Sequence, residues 1–257
     1  MTIQAAGKLI EKSRENLRTL IHENAFDNAS VCILARTLTP EQAIGNPKRR
    51  DYPIIEGKEK MLEALFLGAR GHSFTDSPVD FQGSIREVVD LPLNSNQNRA
   101  VYFATLNAVL RKLDLVRGTV HCRDQEPEQC SQCIADHLMN TWGKLKVGLI
   151  GLNPAIAEML VKTFGPENVL INDLDKKNVD TEKFGVIVRD GRHRTEALIQ
   201  ESDVVLATGT TLCNDTFETI WNLICKHRKK YLFYGVTVAG ISYQMGIDRI
   251  CPYGSDG

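Results

Sequence analysis

Residues 204–215, VVLATGTTLCND, decide the fold class because an apolar strand runs directly into a small, hydroxyl-rich turn. Residues 204–207 are short and apolar, which is typical of a central strand covered on both faces. Residues 208–211 then offer three hydroxyls and one position without a Cβ, so a ligand can approach closely. A helix is predicted next, with Asp215 and Glu218 as its capping box. We therefore expect a ligand-binding turn at a sheet edge; the alternative is a connection whose threonines only satisfy the backbone.

The second half of the chain repeats this alternation of strand and helix. Helical patterns separate further apolar segments, which predict strands at residues 146–152, 168–174, 185–188 and 231–236. Strands separated by helices predict an α/β fold with a doubly wound, mainly parallel sheet. Residues 140–145 are predicted to be a linker, which gives two domains, residues 1–142 and residues 143–257. In the first half, the apolar positions of residues 57–69 predict a helix.

Other loops at the same sheet edge extend the predicted pocket. Residues 235–240, GVTVAG, form a second threonine and glycine loop. Residues 148–154, GLIGLNP, depart from G-x-G-x-x-G and place proline at the helix start, which argues against bound NAD. Asp173 ends a strand where a ribose-binding carboxylate often lies, or it is a turn residue. The candidate ligand-binding residues are Thr208, Gly209, Thr210, Thr211, Asn214, Thr237, Gly151, Asn153 and Asp173.

Three polar residues of the first half are the candidate catalytic groups. Asn107 lies in the middle of a nearly continuous apolar helix, where it either ties down neighbouring backbone or points into a cleft. His72 is the favoured acid or base because an unperturbed imidazole titrates near neutral pH. Glu56 is the third candidate. All three are expected to reach towards the threonine loops from the first domain.

A cysteine and histidine pattern supplies a candidate metal site. If a helix begins near residue 128, then Cys130, Cys133 and His137 share one face, and Cys122 precedes it. Thiolate and imidazole at this spacing are typical ligands of zinc or a similar transition metal ion, the one cofactor left open. The alternative is a plain core stripe, because free cysteine is often buried.

Composition limits the classes of function. The chain has 257 residues, a net charge of -1 and a pI near 6.6, which argues against a surface for nucleic acid or anionic membranes. No apolar run approaches the roughly 20 residues that span a bilayer. Seven cysteines without a regular framework favour a reducing compartment, so a cytoplasmic protein is expected. The oligomeric state stays open, a homo-oligomer included.

Five motifs together resemble the uncharacterised prokaryotic family labelled "putative heavy-metal chelation domain". They are G-K-E at residues 57–59, G-H-S-F-T-D at 71–76, R-A-V-Y-F-A-T-L-N-A-V at 99–109, H-C-x-D-x-E-P-E-x-C at 121–130 and T-G-T-T-L-C-N at 208–214. The resemblance implies a small α+β domain like the amino-terminal domain of enolase, followed by a Rossmann-like domain, with a cleft between them. It also implies a link to metal chelation, without importing enolase chemistry.

These observations support two hypotheses of function. The first is an enzyme that binds a small polar or heterocyclic metabolite in the interdomain cleft and catalyses its condensation or hydrolysis in a pathway linked to heavy-metal chelation. The second is a metal-binding or metal-sensing protein without turnover, which uses the cysteine and histidine cluster. The sequence does not decide between turnover and binding alone, and the partner expected in both cases is a small ligand.

Overall fold

The computed structural model describes residues 8–26 and 32–257. The described chain begins with helix α1 (Leu9–Glu23), whose buried positions recur at helical spacing as the sequence predicts. Four strands follow; the short helix α2 (Pro40–Ile44) lies between the first two, and the short helix α3 (Ile85–Asp90) follows the last. The strands are β1 (Cys32–Leu38), β2 (Lys60–Phe66), β3 (Ala69–Thr75) and β4 (Phe81–Ser84). They form an antiparallel sheet in the order β3-β2-β1-β4.

The helix predicted at residues 57–69 is wrong, because this segment forms strand β2 and the turn after it. Its sequence, KMLEALF, consists mainly of good helix formers. Pairing with β1 on one side and β3 on the other overrides that local preference, since sheet pairing depends on distant neighbours. Leu67 and Gly68 both have positive φ angles, 47° and 85°, as a tight hairpin turn requires.

Helix α4 (Asn96–Lys112) covers one face of this sheet by packing on β2 and β3. It is buried without interruption from Arg99 to Leu110, as its apolar sequence predicts. Gly71 of β3 permits the close approach, because a Cβ there would lie 2.2 Å from the Ala104 carbonyl oxygen. The helix therefore lies between the first sheet and the second half of the chain.

The second half contains a seven-stranded sheet. Its strands are β5 (Val147–Ile150), β6 (Val169–Asp173), β7 (Glu182–Lys183), β8 (Val186–Asp190), β9 (Val204–Thr208), β10 (Lys230–Tyr234) and β11 (Arg249–Ile250). The spatial order is β11-β10-β9-β5-β6-β8-β7, and every pair except β7 with β8 is parallel. Without the β7 hairpin this is the 3-2-1-4-5-6 order of doubly wound sheets, whose direction changes between β5 and β9. The mixed α/β class and the mainly parallel sheet are confirmed.

Helices connect these strands, and the start of one of them differs from the prediction. They are α5 (Glu126–Trp142), α6 (Pro154–Phe164), α7 (Gly191–Glu201), α8 (Phe217–Lys226) and α9 (Ala239–Met245). The capping box predicted for α8 is wrong, because its N-cap is Thr216 and no side chain caps it. Asp215 instead has a positive φ of 66° and approaches Arg99, and Glu218 accepts a hydrogen bond from the Ile10 backbone N–H. Both carboxylates therefore contact distant parts of the chain instead of capping the helix.

One hydrophobic core joins the two halves. It contains residues of α1 and α4 together with the inward faces of β9, α8 and α9. A second cluster on the other face of the large sheet includes α5, which precedes the predicted boundary after residue 142 and packs on α6. The division at residues 142 and 143 stays a prediction, as does the likeness to enolase. Within the described residues, no helix is both long and apolar enough to cross a membrane.

Candidate functional site

A cavity of about 640 Å³ lies where the carboxyl ends of the parallel strands face the first half of the chain. Loops after β5, β6, β9 and β10 form its sheet side, and they contribute Gly151, Asp173, Thr208 and Gly235. The first half contributes residues 58 and 59, the end of β3 and the loop before α5. Its position at the switch point between β5 and β9 is where open α/β sheets bind ligands.

The threonine turn at residues 208–211 lines this cavity with Thr208, Gly209 and Thr210. The Thr208 hydroxyl accepts a hydrogen bond from the Thr210 backbone N–H at 3.3 Å and donates one to the Thr210 hydroxyl at 3.1 Å. The Thr210 hydroxyl keeps its own proton for a ligand. Thr211 does not line the cavity; it is 2% exposed and donates to the Thr208 carbonyl oxygen. Glycine is needed at Gly209 because a Cβ would lie 2.9 Å from the Val238 nitrogen.

Asn214 and Thr237 also line the cavity, as predicted. The Asn214 carbonyl oxygen accepts hydrogen bonds from the Thr216 hydroxyl and backbone N–H, which fixes the side chain. The Thr237 hydroxyl accepts a hydrogen bond from the Phe74 backbone N–H at 3.0 Å. Thr237 therefore joins the second half to strand β3 at the cavity floor.

The loop after β5 lines the cavity with Gly151 and Asn153, but its hydrogen-bond donors are occupied. Asn153 is the N-cap of α6 and accepts from the Ala155 and Ile156 backbone N–H groups. Asp173 accepts from the Leu152 N–H at 2.7 Å and from the Asp175 N–H at 2.6 Å. A pyrophosphate cradle needs such N–H groups free, so this loop is not built as one.

The structure places the three predicted catalytic residues outside the cavity lining, and each has a structural partner. His72 is buried, with Nε2 3.2 Å from Glu63 Oε2 and Nδ1 accepting from the His121 backbone N–H. Asn107 donates to the His72 and Val236 carbonyl oxygens and accepts from the Gly240 N–H, which is the tie-down alternative. Glu56 is half-exposed and paired with Lys58. A polar residue type alone did not reveal which groups face the ligand space.

Glu59 also lines the cavity, although the sequence did not single it out as a candidate. Its carboxyl group makes no hydrogen bond or ion pair with any other described residue. Burial, followed by the nearby Asp173 and Asp76 carboxylates, raises the pKa of Glu59 to about 7. Such a group exchanges a proton near neutral pH, which is what acid or base catalysis needs. In the sequence, the G-K-E motif at residues 57–59 contains Glu59 and is the feature that could have indicated it.

Lys58 and His121 also line the cavity. The Lys58 ammonium bridges Glu56 and Asp175 at 2.7 and 2.8 Å, and it thereby connects the two halves at the cavity edge. His121 lies in the wall with its Nδ1 2.6 Å from the Cys122 carbonyl oxygen. Only a protonated Nδ1 can donate to a carbonyl, so Nε2 carries the lone pair in the neutral ring. Burial lowers the pKa of His121 to about 4, which keeps the ring neutral.

The four predicted metal ligands do not converge on one point. Cys122 and Cys130 line the cavity, whereas Cys133 and His137 do not. The His137 ring lies 6.4 Å from the Trp142 ring. Over residues 8–26 and 32–257, no three or more His, Cys, Asp or Glu side chains are grouped so that they could hold a metal ion. The four-ligand site stays a prediction without support from the geometry.

Comparison with known proteins supports the family resemblance. Residues 134–250 match the model of the DUF364 family, described as "Putative heavy-metal chelation", so the resemblance inferred from the motifs is confirmed over that part of the chain. No curated protein matches.

Two solved structures of DUF364 proteins, both of unknown function, are similar to this chain. One, from Pyrococcus horikoshii, is 11% identical with a TM-score of 0.49, covering 90% of this chain and 80% of that one. The other, from Desulfitobacterium hafniense DCB-2, is 13% identical with a TM-score of 0.49, covering 92% and 85%.

Proposed function

Starting from the match of residues 134–250 to DUF364, we propose that this chain binds a small polar or heterocyclic metabolite in the cavity and catalyses its condensation or hydrolysis. The observation that carries the proposal is the Glu59 carboxyl, which has no hydrogen-bond or ion-pair partner among the described residues and shares the cavity with the Thr210 hydroxyl. The family description adds a link between this reaction and heavy-metal chelation. That link rests on the description alone, since no group of three or more metal-ligating side chains occurs in the part of the chain that the structure describes.

The cavity suits a metabolite with several hydrogen-bonding groups. Thr208, Thr210 and Thr237 offer hydroxyls, and Asn96 and Asn214 offer amides. Apolar side chains, Ile54, Phe74 and Ile156 among them, line other parts of the wall, where a flat ring finds apolar contact. This mixture of apolar walls and a few polar groups is typical of sites for small molecules.

Glu59 has the chemistry that condensation and hydrolysis require. With a pKa of about 7 it is protonated in part of the molecules and ionised in the rest, so it can donate a proton to a leaving group or accept one from water. The neutral His121 is a second group of the wall that can accept a hydrogen bond. The threonine turn would orient the substrate rather than react with it.

A ligand screen tests this proposal. Purified protein is screened against polar and heterocyclic metabolites by thermal denaturation, where a ligand at one hundred times its Kd should raise Tm by roughly 5 °C. Thr210→Val and Glu59→Gln should each reduce the shift for the same ligand. Thr19→Val is the matched control, because Thr19 is exposed on α1 and bonds only within its helix.

A ligand whose shift survives both cavity substitutions unchanged would place binding elsewhere and overturn the proposal. If a ligand binds, its turnover is followed over time by mass spectrometry. Glu59→Gln should then reduce turnover by about a hundredfold or more while the protein still binds the ligand, as expected for the loss of an acid or base.

A further inference from the structure

Three side chains of the cavity wall use their oxygen atoms as acceptors within the protein and leave their N–H or O–H groups for a ligand. They are Thr210, Asn214 and Thr237, which together we call the donor patch, and all three line the cavity. None of these N–H or O–H groups has an acceptor among the residues that the structure describes. A ligand at this part of the wall therefore meets hydrogen-bond donors.

Backbone N–H groups fix which atoms of two of these side chains remain. A backbone N–H can only donate, so the atom of Asn214 that faces the Thr216 N–H at 3.3 Å is the amide oxygen. The Asn214 NH₂ group is therefore the part left for a ligand. The Thr237 oxygen likewise accepts from the Phe74 N–H at 3.0 Å, which leaves the hydroxyl proton. Thr237 is 2% exposed, so its hydroxyl has little access to anything except the cavity.

Thr210 and Asn214 lie on the same side of the turn after β9. The Asn214 backbone N–H donates to the Thr210 carbonyl oxygen at 3.1 Å, which places the two residues one turn apart. The Thr210 hydroxyl oxygen accepts the proton of the Thr208 hydroxyl at 3.1 Å. Arg99, which is 4% exposed, holds the turn by donating from Nε to the Cys213 carbonyl oxygen at 2.8 Å.

Thr237 lies on the loop after β10, which packs directly on this turn. A Cβ at Gly209 would lie 2.9 Å from the Val238 nitrogen, so the two loops touch beside Thr210 and Thr237. Asn107 holds the second loop, because its buried amide donates to the Thr237 carbonyl oxygen at 3.4 Å. The donor patch is therefore one part of the wall, and structural residues behind it keep both loops in place.

Charged groups of the cavity limit what the donor patch can bind. Glu59 and Asp173 are partly buried carboxyl groups of the lining, and they disfavour a negatively charged ligand group. Among the lining cations, Lys58 is already in ion pairs, and Lys177 and Arg192 are exposed, where water weakens their attraction. These conditions favour an uncharged oxygen acceptor.

We propose that the donor patch binds the carbonyl oxygen of an uncharged acyl group, so that the substrate of this cavity is an amide or an ester. This inference rests on the function proposed above, which supplies the cavity and the acid or base Glu59, and it adds the reacting group. Condensation and hydrolysis at an acyl carbon both place negative charge on this oxygen in the transition state. Donors that are already oriented stabilise that charge.

Hydrolysis then needs no reactant besides water. Ionised Glu59 takes a proton from water as the water oxygen bonds to the acyl carbon, and the carbonyl electron pair moves onto the oxygen at the donor patch. When the pair returns, the bond from the acyl carbon to the leaving nitrogen or oxygen breaks. Glu59 gives its proton to that atom, so a carboxylic acid and an amine or alcohol leave. Condensation is the same sequence in reverse and releases water.

Two pairs of small probes test the inference through binding alone. Nicotinamide is compared with 3-pyridinemethanol, and benzamide with benzyl alcohol, so that the members of each pair share a ring and only one has a carbonyl. The full-length, isotope-labelled protein is titrated with each probe and followed by NMR. Each carboxamide should bind at least about fivefold tighter than its alcohol, as expected for additional hydrogen bonds. The backbone signals of residues 208–214 and 235–238 should shift.

Asn214→Asp is the most specific variant, because it replaces the NH₂ donor by an oxygen and keeps the oxygen that Thr216 binds. It should weaken both carboxamides by about tenfold or more, since an acceptor then faces the carbonyl oxygen. The alcohols should not weaken, because a hydroxyl can donate to the new carboxylate. Asn24→Asp is the matched control, since Asn24 is exposed after α1 and lies outside the cavity lining.

A second variant pair separates the Thr210 hydroxyl from the shape of the side chain. Thr210→Val should weaken both carboxamides by about fivefold through the loss of one donor. Thr210→Ser keeps the hydroxyl and should restore most of the binding. Failure of the serine variant to bind better than the valine variant contradicts the role of the hydroxyl.

Equal binding of carboxamide and alcohol in both pairs, or carboxamide binding that survives Asn214→Asp, overturns the inference. The function proposed above would survive that result if a metabolite from the ligand screen still lost its binding in Thr210→Val and Glu59→Gln. The absence of any cavity ligand, both in the screen and among the four probes, would contradict both proposals.

Discussion

At the scale of single residues, a polar side chain in the interior does not always face the cavity. Asn107 and Glu59 are both polar and enclosed, yet only Glu59 faces the cavity. Asn107 has its amide and carbonyl groups bonded to backbone from β3, from the loop after β10 and from α9. Because an unpaired buried amide is costly, those bonds make Asn107 a structural residue. The Glu59 carboxyl has no such bonds to other described residues, so it is available for acid or base chemistry.

The raised pKa of Glu59 predicts a pH dependence of stability. Its pKa is about 7 in the folded chain against the ordinary 4.5, so between these values the folded state holds a proton that the unfolded state has lost. Stability from this group is therefore greatest below pH 4.5, falls as pH rises to 7, and is constant above. Glu59→Gln should remove this fall, and its free energy of unfolding should exceed that of the wild type by about 3 kcal/mol at pH 8.

Urea unfolding of both proteins at pH 5, 6, 7 and 8 measures the difference between their free energies of unfolding. Taking the difference cancels the titration of groups that both proteins share. A difference that stays constant from pH 5 to pH 8 contradicts the raised pKa of Glu59.

At the scale of elements, the ends of strands and the beginnings of helices decide what the cavity offers. The turn after β9 leaves the Thr210 hydroxyl able to donate. In the loop after β5 the polar groups have partners within the protein: Asn153 caps α6, and the Leu152 N–H donates to Asp173 at the end of β6. Two loops at one sheet edge therefore have different roles: one presents groups to a ligand, and the other maintains the shape of the wall.

A prediction at this scale concerns Asn153, because substitutions can test its role as the N-cap of α6 separately from its proposed contact with a ligand. Asn153→Ala should cost about 1 kcal/mol of stability through the loss of the cap. Asn153→Asp should keep most of that stability, since a carboxylate accepts the same two hydrogen bonds. Chemical denaturation measures both. Equal losses in the two variants would show that the cap is not the source of the stability.

At the scale of the whole molecule, the two halves are built around a shared core. Helix α4 packs on the first sheet and also contacts α9, and Ser13 of α1 hydrogen bonds with Gln244 of α9. At the cavity edge, Lys58 pairs with Asp175, and outside the cavity lining Arg49 pairs with Glu158. These contacts fix how the first half faces the strand ends, and the cavity exists only when both halves are in place.

The shared core predicts that residues 143–257 do not fold when they are produced alone. The segment would expose the faces of β9, α8 and α9 that the first half covers, and it would lack α5, which packs on α6. Circular dichroism and heteronuclear NMR should show a loosely packed chain without a cooperative thermal transition. A cooperative transition with dispersed amide signals would show instead that the division at residue 142 marks an independent folding unit.

Sequence patterns predicted most of the second half, because its strands are apolar and its helices form through contacts between residues that are near in sequence. The five predicted strands all appear, with ends shifted by a few residues. In the first half, residues 57–69 are rich in helix formers, and only pairing with two other strands makes them a strand. The turn at residues 208–211 could be assigned to the cavity because strand ends gather at one edge. His72 and Glu59 could not be ranked, since orientation and desolvation are properties of the folded chain.

The amino-acid sequence alone determined the α/β class, the parallel sheet and the position of the threonine turn at a strand end. Those features follow from hydrophobic periodicity and turn chemistry, which act over a few residues. Only the tertiary structure decided that Asn107 holds neighbouring backbone in place and that Glu59 faces the cavity. The reason is physical: a side chain's partners, pKa and access to a ligand depend on groups that are distant in the sequence.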